Sequence, residues 1–419
     1  MPKATPAAKW GRQRHEKKRI DLMEILTGVR VLDVGRFIAI PYCGWLLARL
    51  GAEVVRVESS RGEFDRYAGL LTPTGQTVLF LSMISGKKSV TLNFERGDKA
   101  KELFAKLVAK SDVVLENVAR DTPEKWGLTY EDLCKIKPDI ILVHSTAYGS
   151  EGPYKDRVGF DPIAQAMSGA MSVSGLDETP TRTMVPYVDY GTALHAVVGV
   201  VSALLHRHKT GKGLKIDVSL LRTALTFATA LTEEYRATGR IREPRRIGNR
   251  GYWVAFTDLC WTKDGKGILV SAIGPLVRRL LRAMGREDLV SDPRFATDSK
   301  AFENRDILDP IIKEWVASKT MDEMEEIAGE LAIPVGPLVD YTEVPDHPQV
   351  KAEKMLVEAP LSDGSFRMAV PACPIRFSEG VFRDSVAIPR LGEHNEEIWG
   401  KLCGLSTQEL AKLKDEGII

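Results

Sequence analysis

The sequence predicts an α/β fold, a mostly parallel sheet with helices on both faces. Three observations carry that expectation. Short apolar runs alternate with amphipathic helical patterns through the first third of the chain. The runs end in loops of small, polar or charged residues at 35–37, 58–60, 116–117 and 145–146. The composition is that of an ordinary globular chain, with 44% apolar and 27% charged residues over 419 positions.

Residues 29–34 form the first strand and 41–50 a short helix, with Pro41 in its first turn, where a missing N–H costs nothing. Strands follow at 52–58 and 89–93, then an amphipathic helix over 98–110. A strand at 113–116, a helix at 130–135 and a strand at 140–144 complete the first third. Ligands of such sheets gather beyond the carboxyl ends of the strands. The four loops are therefore a candidate pocket wall. The turn after the first strand, Asp33 to Pro41, does not spell GxGxxG, which disfavours a nicotinamide-dependent dehydrogenase.

Residues 164–175 read as a helix followed by close backbone packing around Gly169 and Gly175. A buried helix spans 192–207, a turn 209–213, a strand 214–218 and a further helix 220–235. Residues 239–261 are irregular and Arg-rich and suggest a change of domain. Beyond them come a strand and helix within 265–286, helices at 306–317 and 321–331, a rigid connection at 333–337, and helices at 395–403 and 407–414.

The 58 Lys and Arg against 57 Asp and Glu leave a net charge of +1, which does not mark a general polyanion binder. No aromatic interleaving or recognition motif supports nucleic acid as a partner. The apolar stretch 193–205 is broken by His195 and falls short of the roughly 20 residues that span a bilayer, so no membrane partner is expected. Five well-separated Cys without CxxC spacing fit a reduced, cytoplasmic protein without a disulfide scaffold. The seven His form no HExxH pair, and no metal is expected. His144 alone closes a strand near the candidate pocket. GxSxG is absent, so a serine-hydrolase elbow has no support. Residues 1–18 are basic and polar without an apolar segment and read as a flexible or partner-packing extension.

Asp189, just before the buried helix, has two readings. It is an N-cap accepting backbone N–H groups, or a nucleophile at a pocket edge that stays ionised because those N–H groups stabilise its charge. The run Arg236, Arg240, Arg242, Arg245, Arg246 and Arg250 likewise reads as a solvated linker or oligomer contact, or as a grip on a phosphate or carboxylate.

Several segments in order make a more specific pattern. Val31–Leu32–Asp33, Gly51–Ala52–Glu53–Val54–Val55–Arg56–Val57–Glu58, Gly86–Lys87–Lys88–Ser89 and Val114–Leu115–Glu116–Asn117 are followed by Gly159–Phe160–Asp161–Pro162. His208–Lys209–Thr210–Gly211–Lys212–Gly213, Ile333–Pro334–Val335–Gly336–Pro337 and Leu391–Gly392–Glu393–His394 follow later. Together they resemble the class III CoA-transferase family over about residues 27–416. The resemblance implies a Rossmann-like large domain plus a small domain, in ring-like subunits that interlock as a homodimer or heteromer. The expected division is an extension at 1–26, the large domain's first part at 27–225, a small domain with linkers at 226–335, and a return connection with the rest of the large domain at 336–419.

The resemblance also implies that Asp189 is the catalytic carboxylate. It would relay coenzyme A from an acyl-CoA donor to a carboxylate acceptor through aspartyl anhydride and aspartyl-CoA thioester intermediates, with succinyl-CoA or a dicarboxylate among the substrates. Coenzyme A is then a substrate, and no tightly bound cofactor is needed. Phe37, Ile38, Ala39, Lys87, Lys88, Asn117, Val118, Lys125 and Phe160 fall at the implied coenzyme A-binding positions. Ile38 departs from the Gln frequent there. Gly248, Asn249, Gly251 and Arg246 are candidate oxyanion or acceptor contacts, although the family's consecutive glycines are not reproduced. The related alpha-methylacyl-CoA racemases need a His where this chain has Phe160, and Phe moves no proton. A supporting subunit of a heteromeric transferase is the other alternative.

Overall fold

The computed structural model describes residues 25–118, 122–176, 178–378 and 387–419. The expected extension therefore lies, through residue 24, outside the described residues. Short, mostly buried segments form β1 (Arg30–Asp33), β2 (Glu53–Glu58), β3 (Lys88–Thr91), β4 (Val113–Glu116) and β5 (Ile141–Thr146), as in sheets covered on both faces. A short hairpin of β6 (Gly175–Leu176) and β7 (Thr179–Pro180) precedes β8 (Lys215–Ser219). The main sheet has the order β3-β2-β1-β4-β5-β8. The pairs β1–β2, β1–β4, β2–β3 and β4–β5 are parallel. Strand order reverses between β1 and β4, so the loops after these two strands flank the position where open α/β sheets bind ligands.

Helix Asp98–Val108 buries Ala100, Leu103, Phe104, Leu107 and Val108, spaced at helical period, as one face. They share a core with Leu32, Val55, Val90, Val114 and Leu142 of the sheet. Trp399 joins the same core, fully buried, and its indole N–H donates to the Thr91 carbonyl at 3.2 Å. The end of the chain thus returns to the fold made by its beginning.

Two compact units result. The first contains the described residues of Met1–His144, Ala193–Ile216 and Val357–Ile419, and the second those of Ser145–Thr192 and Asp217–Leu356. The first is the expected α/β unit with a Rossmann-like sheet. The second contains the antiparallel sheet β11-β10-β9, from β9 (Phe256–Trp261), β10 (Gly267–Ala272) and β11 (Val335–Pro337). Phe256, Cys260, Ile268 and Val270 of that sheet pack with Leu280, Ile312 and Met324 from its helices.

These boundaries differ from the expected ones. Residues 145–192 group with the second unit because helix Asp161–Met167 packs on helix Leu220–Phe227. The return comes at Val357, where β12 (Leu356–Pro360) and β13 (Arg367–Pro371) place Ala359 and Val370 in a cluster with Phe80, Leu81 and Ile84.

Two helices also depart from expectation. The expected helix 220–235 is broken into Leu220–Phe227 and Thr229–Thr238. The hydroxyls of Thr226 and Thr229 bond back to the carbonyls of Arg222 and Leu225 at 3.0 and 3.2 Å, a pattern that bends helices. The expected helix 192–207 runs instead over Tyr187–Thr210, 24 residues, long and apolar enough by length and composition to cross a membrane. Its Thr192, Ala193, Ala196, Val200 and Ala203 are buried within the protein, while Leu194, Val198, Val201 and Leu205 make an exposed stripe.

Candidate active site

The first unit holds the expected coenzyme A-binding positions except Phe160. The loop after β1 is built on a buried charge cluster. Asp33 Oδ1 accepts the Gly35 amide at 3.0 Å. Asp33 Oδ2 meets Lys87 Nζ at 2.6 Å, and Arg56 Nη1 lies 3.2 Å from Asp33 Oδ1. Burial alone would raise the Asp33 carboxyl, but the Lys87 and Arg56 charges hold it below its usual range. Gly44 makes room for the pair, because a Cβ there would come within 3.0 Å of Asp33 Oδ2 and 3.1 Å of Lys87 Nζ.

Lys87 is thus no ligand contact. Its ammonium is sealed in and donates also to the Pro41 carbonyl at 2.7 Å. Lys88 is similarly occupied, with Glu53 and Glu397 each at 2.6 Å, which ties β2 and β3 to the C-terminal segment. Ile38 and Ala39 are buried at the start of helix Ala39–Arg49.

Phe37, Asn117 and Lys125 remain on the accessible side. Phe37 has φ +62°, a left-handed conformation that is costly for a bulky residue and found mostly where a site requires it. The Asp65 carboxylate accepts the Phe37 amide at 2.9 Å. Asn117 links the two loops at the sheet's switch point: its Oδ1 accepts the Arg36 amide at 2.7 Å and its Nδ2 donates to the Arg36 carbonyl at 3.0 Å. Val118 is buried and bonds through its amide to Glu116 at 3.0 Å. His144 contacts the other oxygen of that carboxylate. Lys125 is exposed on helix Thr122–Trp126, beside which Arg36 stacks over Trp126 and pairs with Glu63 at 2.8 Å. Sequence reading missed Asp65 and Arg56, whose roles depend on partners far away in the chain.

The second unit holds Asp189 and Phe160 with the remaining candidates. Helix Tyr187–Thr210 begins two residues before Asp189, so Asp189 sits inside its first turn and is not the N-cap. The capping carboxylate is Asp161, at the start of helix Asp161–Met167. Its Oδ2 accepts the amides of Val188 at 2.8 Å and Asp189 at 3.2 Å. Asp161 is itself braced by the Gln165 side-chain amide, whose oxygen accepts the Thr183 amide at 2.9 Å. The expectation that helix N–H groups keep Asp189 ionised is therefore corrected. Burial and the Asp161 charge push its carboxyl up to about 7.

The first turns of this helix are fixed by close packing. Thr192 Oγ1 donates to the Val188 carbonyl at 2.8 Å and lies 3.0 Å from Thr223 Oγ1. Gly191 lies so near Phe227 that a Cβ would come within 2.3 Å of its ring. Phe160 precedes helix Asp161–Met167 and is exposed.

Gly248 and Asn249 line a cavity of ≈ 700 Å³ together with Ser174, Leu176 and Thr183. The Gly248 amide bonds the Gly175 carbonyl at 2.9 Å and the Gly251 amide bonds the Thr257 carbonyl at 2.8 Å. Neither amide is open to a developing oxyanion, which corrects those two assignments; Asn249 alone of the three stays exposed at the cavity without a bond to its amide among the described residues. Arg246 Nη1 donates to the Ser172 carbonyl at 3.0 Å.

The rest of the arginine run divides. Arg250 is buried against Asp309 at 2.7 Å and Arg242 is clamped by Glu234 at 2.6 Å. Arg240 and Arg245 line a cavity of ≈ 360 Å³ with Ser168, Ser172, Thr232 and Tyr235.

Residues 26–395 match the profile of CoA-transferase family III. The chain is 34% identical to succinyl-CoA--D-citramalate CoA-transferase of Chloroflexus aurantiacus over 400 residues, 94% of this chain and 98% of that one. It is also 34% identical to the beta subunit of succinyl-CoA--L-malate CoA-transferase of the same organism, over the same shares. A CAIB/BAIF family protein of Brucella suis superposes with a TM-score of 0.77 at 32% identity, covering 90% of this chain and 99% of the other. A Rossmann-like sheet and similarity over nine-tenths of the chain lead to one conclusion: the chain belongs to CoA-transferase family III, whose members move coenzyme A between an acyl-CoA and a carboxylate.

Proposed function

We propose that the protein transfers coenzyme A from succinyl-CoA to a carboxylic acid acceptor through covalent intermediates on Asp189. The observation that carries this reading is a half-buried carboxylate in the first turn of a rigidly packed helix, with its carboxyl pushed up to about 7. A desolvated carboxylate of this kind is a better nucleophile than one in water, and a fraction remains ionised at neutral pH.

Asp189 attacks the acyl-CoA carbonyl, forming an acyl–aspartyl anhydride and releasing coenzyme A thiolate. The thiolate attacks the aspartyl carbonyl, giving an aspartyl-CoA thioester and the donor acid. The acceptor carboxylate attacks that thioester and expels thiolate, which then attacks the acceptor's carbonyl in the second anhydride. Product acyl-CoA leaves and Asp189 is regenerated. Each carbonyl addition needs a donor for the oxyanion, and the Asn249 amide is the remaining candidate.

Succinyl-CoA as donor and a dicarboxylate as acceptor are supported by the names of the two Chloroflexus relatives. Arg240 and Arg245 supply positive charge in a cavity of the same unit. The strained loop at Phe37, the Asn117 bridge and exposed Lys125 are proposed to receive the nucleotide end of coenzyme A. The exposed stripe Leu194, Val198, Val201 and Leu205 supports a dimer that covers it. The reading sets the protein in the cytoplasm, where its cysteines, none in a disulfide, stay reduced.

Racemisation is not favoured, because Phe160 supplies no acid or base. A heteromeric assembly is the second reading, supported by the similarity to one subunit of a two-subunit transferase. Asp189→Ala tests the main reading: transfer is lost while coenzyme A binding survives, and retained turnover overturns it. Turnover only after a second chain is added would select the heteromer.

A further inference from the structure

A carboxylate in the first turn of a helix ordinarily folds back onto the free N–H groups there. In this chain the amides of Val188 and Asp189 are already taken, at 2.8 and 3.2 Å, by Asp161 Oδ2. Asp161 is 2% exposed, and its other oxygen is held by Gln165, also 2% exposed. Gln165 in turn accepts the Thr183 amide at 2.9 Å, which fixes the segment entering the helix. The Asp189 carboxylate receives no hydrogen bond among the described residues. A second carboxylate, 28 residues earlier, has taken its place as the cap.

We infer that Asp161 is a positioning residue for the transfer, occupying the helix N–H groups so that the Asp189 carboxylate stays unbonded and held at one angle for attack on the acyl carbon. The inference rests on Asp189 as nucleophile. Asp161 forms no bond to substrate in this account; it acts through the backbone of residues 188 and 189. Removal of its side chain opens both amides, and Asp189 then satisfies them itself. The helix remains capped while the nucleophile turns away. Acyl-CoA binding is little affected, because no contact to the substrate is removed.

The test uses the full chain with succinyl-CoA and an acceptor acid on which wild type turns over, comparing wild type, Asp161→Ala and Asp161→Asn. Asp161→Asn retains an oxygen that accepts the amides. Asp161→Ala is expected to lower kcat about 100-fold, the scale on which small misplacement of a reacting group acts, with KM for succinyl-CoA within about threefold. Asp161→Asn is expected to recover at least about tenfold of that loss. Hydroxylamine trapping at Asp189 should fall and recover in parallel. Turnover and trapping of Asp161→Ala equal to wild type overturn the inference, as does an Asp161→Asn variant that folds but is no better than Asp161→Ala. Wild type that turns over without trapping at Asp189 overturns the nucleophile assignment itself, and this inference with it.

Discussion

Lys87 Nζ lies 2.6 Å from Asp33 Oδ2, and both side chains are sealed from solvent beneath the loop that carries Phe37. The pair acts on the candidate nucleotide site from below, by holding the turn after β1, and not by touching a ligand.

Lys87→Ala therefore tests structure before binding. Breaking a buried pair and leaving one charge behind costs about 3–5 kcal/mol, so urea denaturation should show a large loss of stability. KM for acyl-CoA measured on the folded protein should rise only together with that loss of stability, through the loosened turn after β1, since no substrate contact is lost. The pH sign follows from Asp33, whose carboxyl lies below its usual range in the folded protein. Its contribution is present above the ordinary Asp pKa and is lost as pH falls through the depressed value. Normal stability with a strongly raised KM would restore Lys87 as a ligand contact.

Asp189 gives the opposite sign. Its carboxyl is pushed up to about 7 in the folded protein, above its unfolded value. Between the ordinary Asp pKa and pH 7 the unfolded chain ionises first, so wild type loses stability across that window as pH rises. Asp189→Asn should melt higher than wild type at pH 8 and equally at pH 4, as followed by circular dichroism. In the wild-type enzyme, kcat/KM should rise tenfold per pH unit below about 7 and level off above it.

Gly191→Ala brings a Cβ within 2.3 Å of the Phe227 ring and 3.0 Å of Thr223 Cγ2. Overpacking of this kind costs about 1–3 kcal/mol. Because it displaces the first turns of the Asp189 helix, kcat should fall more than stability alone explains. Phe227→Ala in the same chain should restore part of both, measured by thermal melting and initial rates.

Asn117→Ala removes two hydrogen bonds to Arg36, at 2.7 and 3.0 Å, and uncouples the loops after β1 and β4. Two such bonds are worth about 1–3 kcal/mol together, which sets an upper limit of about 5- to 150-fold on the rise in KM for acyl-CoA, with kcat nearly unchanged. Calorimetric titration with coenzyme A checks the binding component separately.

The parallel sheet was legible because its strands are local apolar runs. Residues 113–116 coincide with β4, and the other strands of the first third differ from expectation by a residue or two at their ends. Helix 98–110 was legible from its period. What failed depends on distant partners. Lys87 and Lys88 occupy a loop position suited to a nucleotide, but Asp33 and Glu397 lie 54 and 309 residues away and claim their charges. The sequence around Asp189 permits a cap as well as a nucleophile; the cap comes from Asp161 in another helix. The glycines at 248 and 251 suggested free amides, and the backbone pairing that engages them follows from the hairpin at 175 and from β9.

The central claim is that Asp189 carries the acyl group and then coenzyme A. The direct measurement is brief incubation with succinyl-CoA, trapping with hydroxylamine, and peptide mapping by mass spectrometry, with Asp189→Ala as control. The account predicts a donor-dependent hydroxamate on the peptide containing Asp189 and none in the control. A hydroxamate at another residue, or proton exchange at the acyl alpha carbon with Asp189 unmodified, would contradict it.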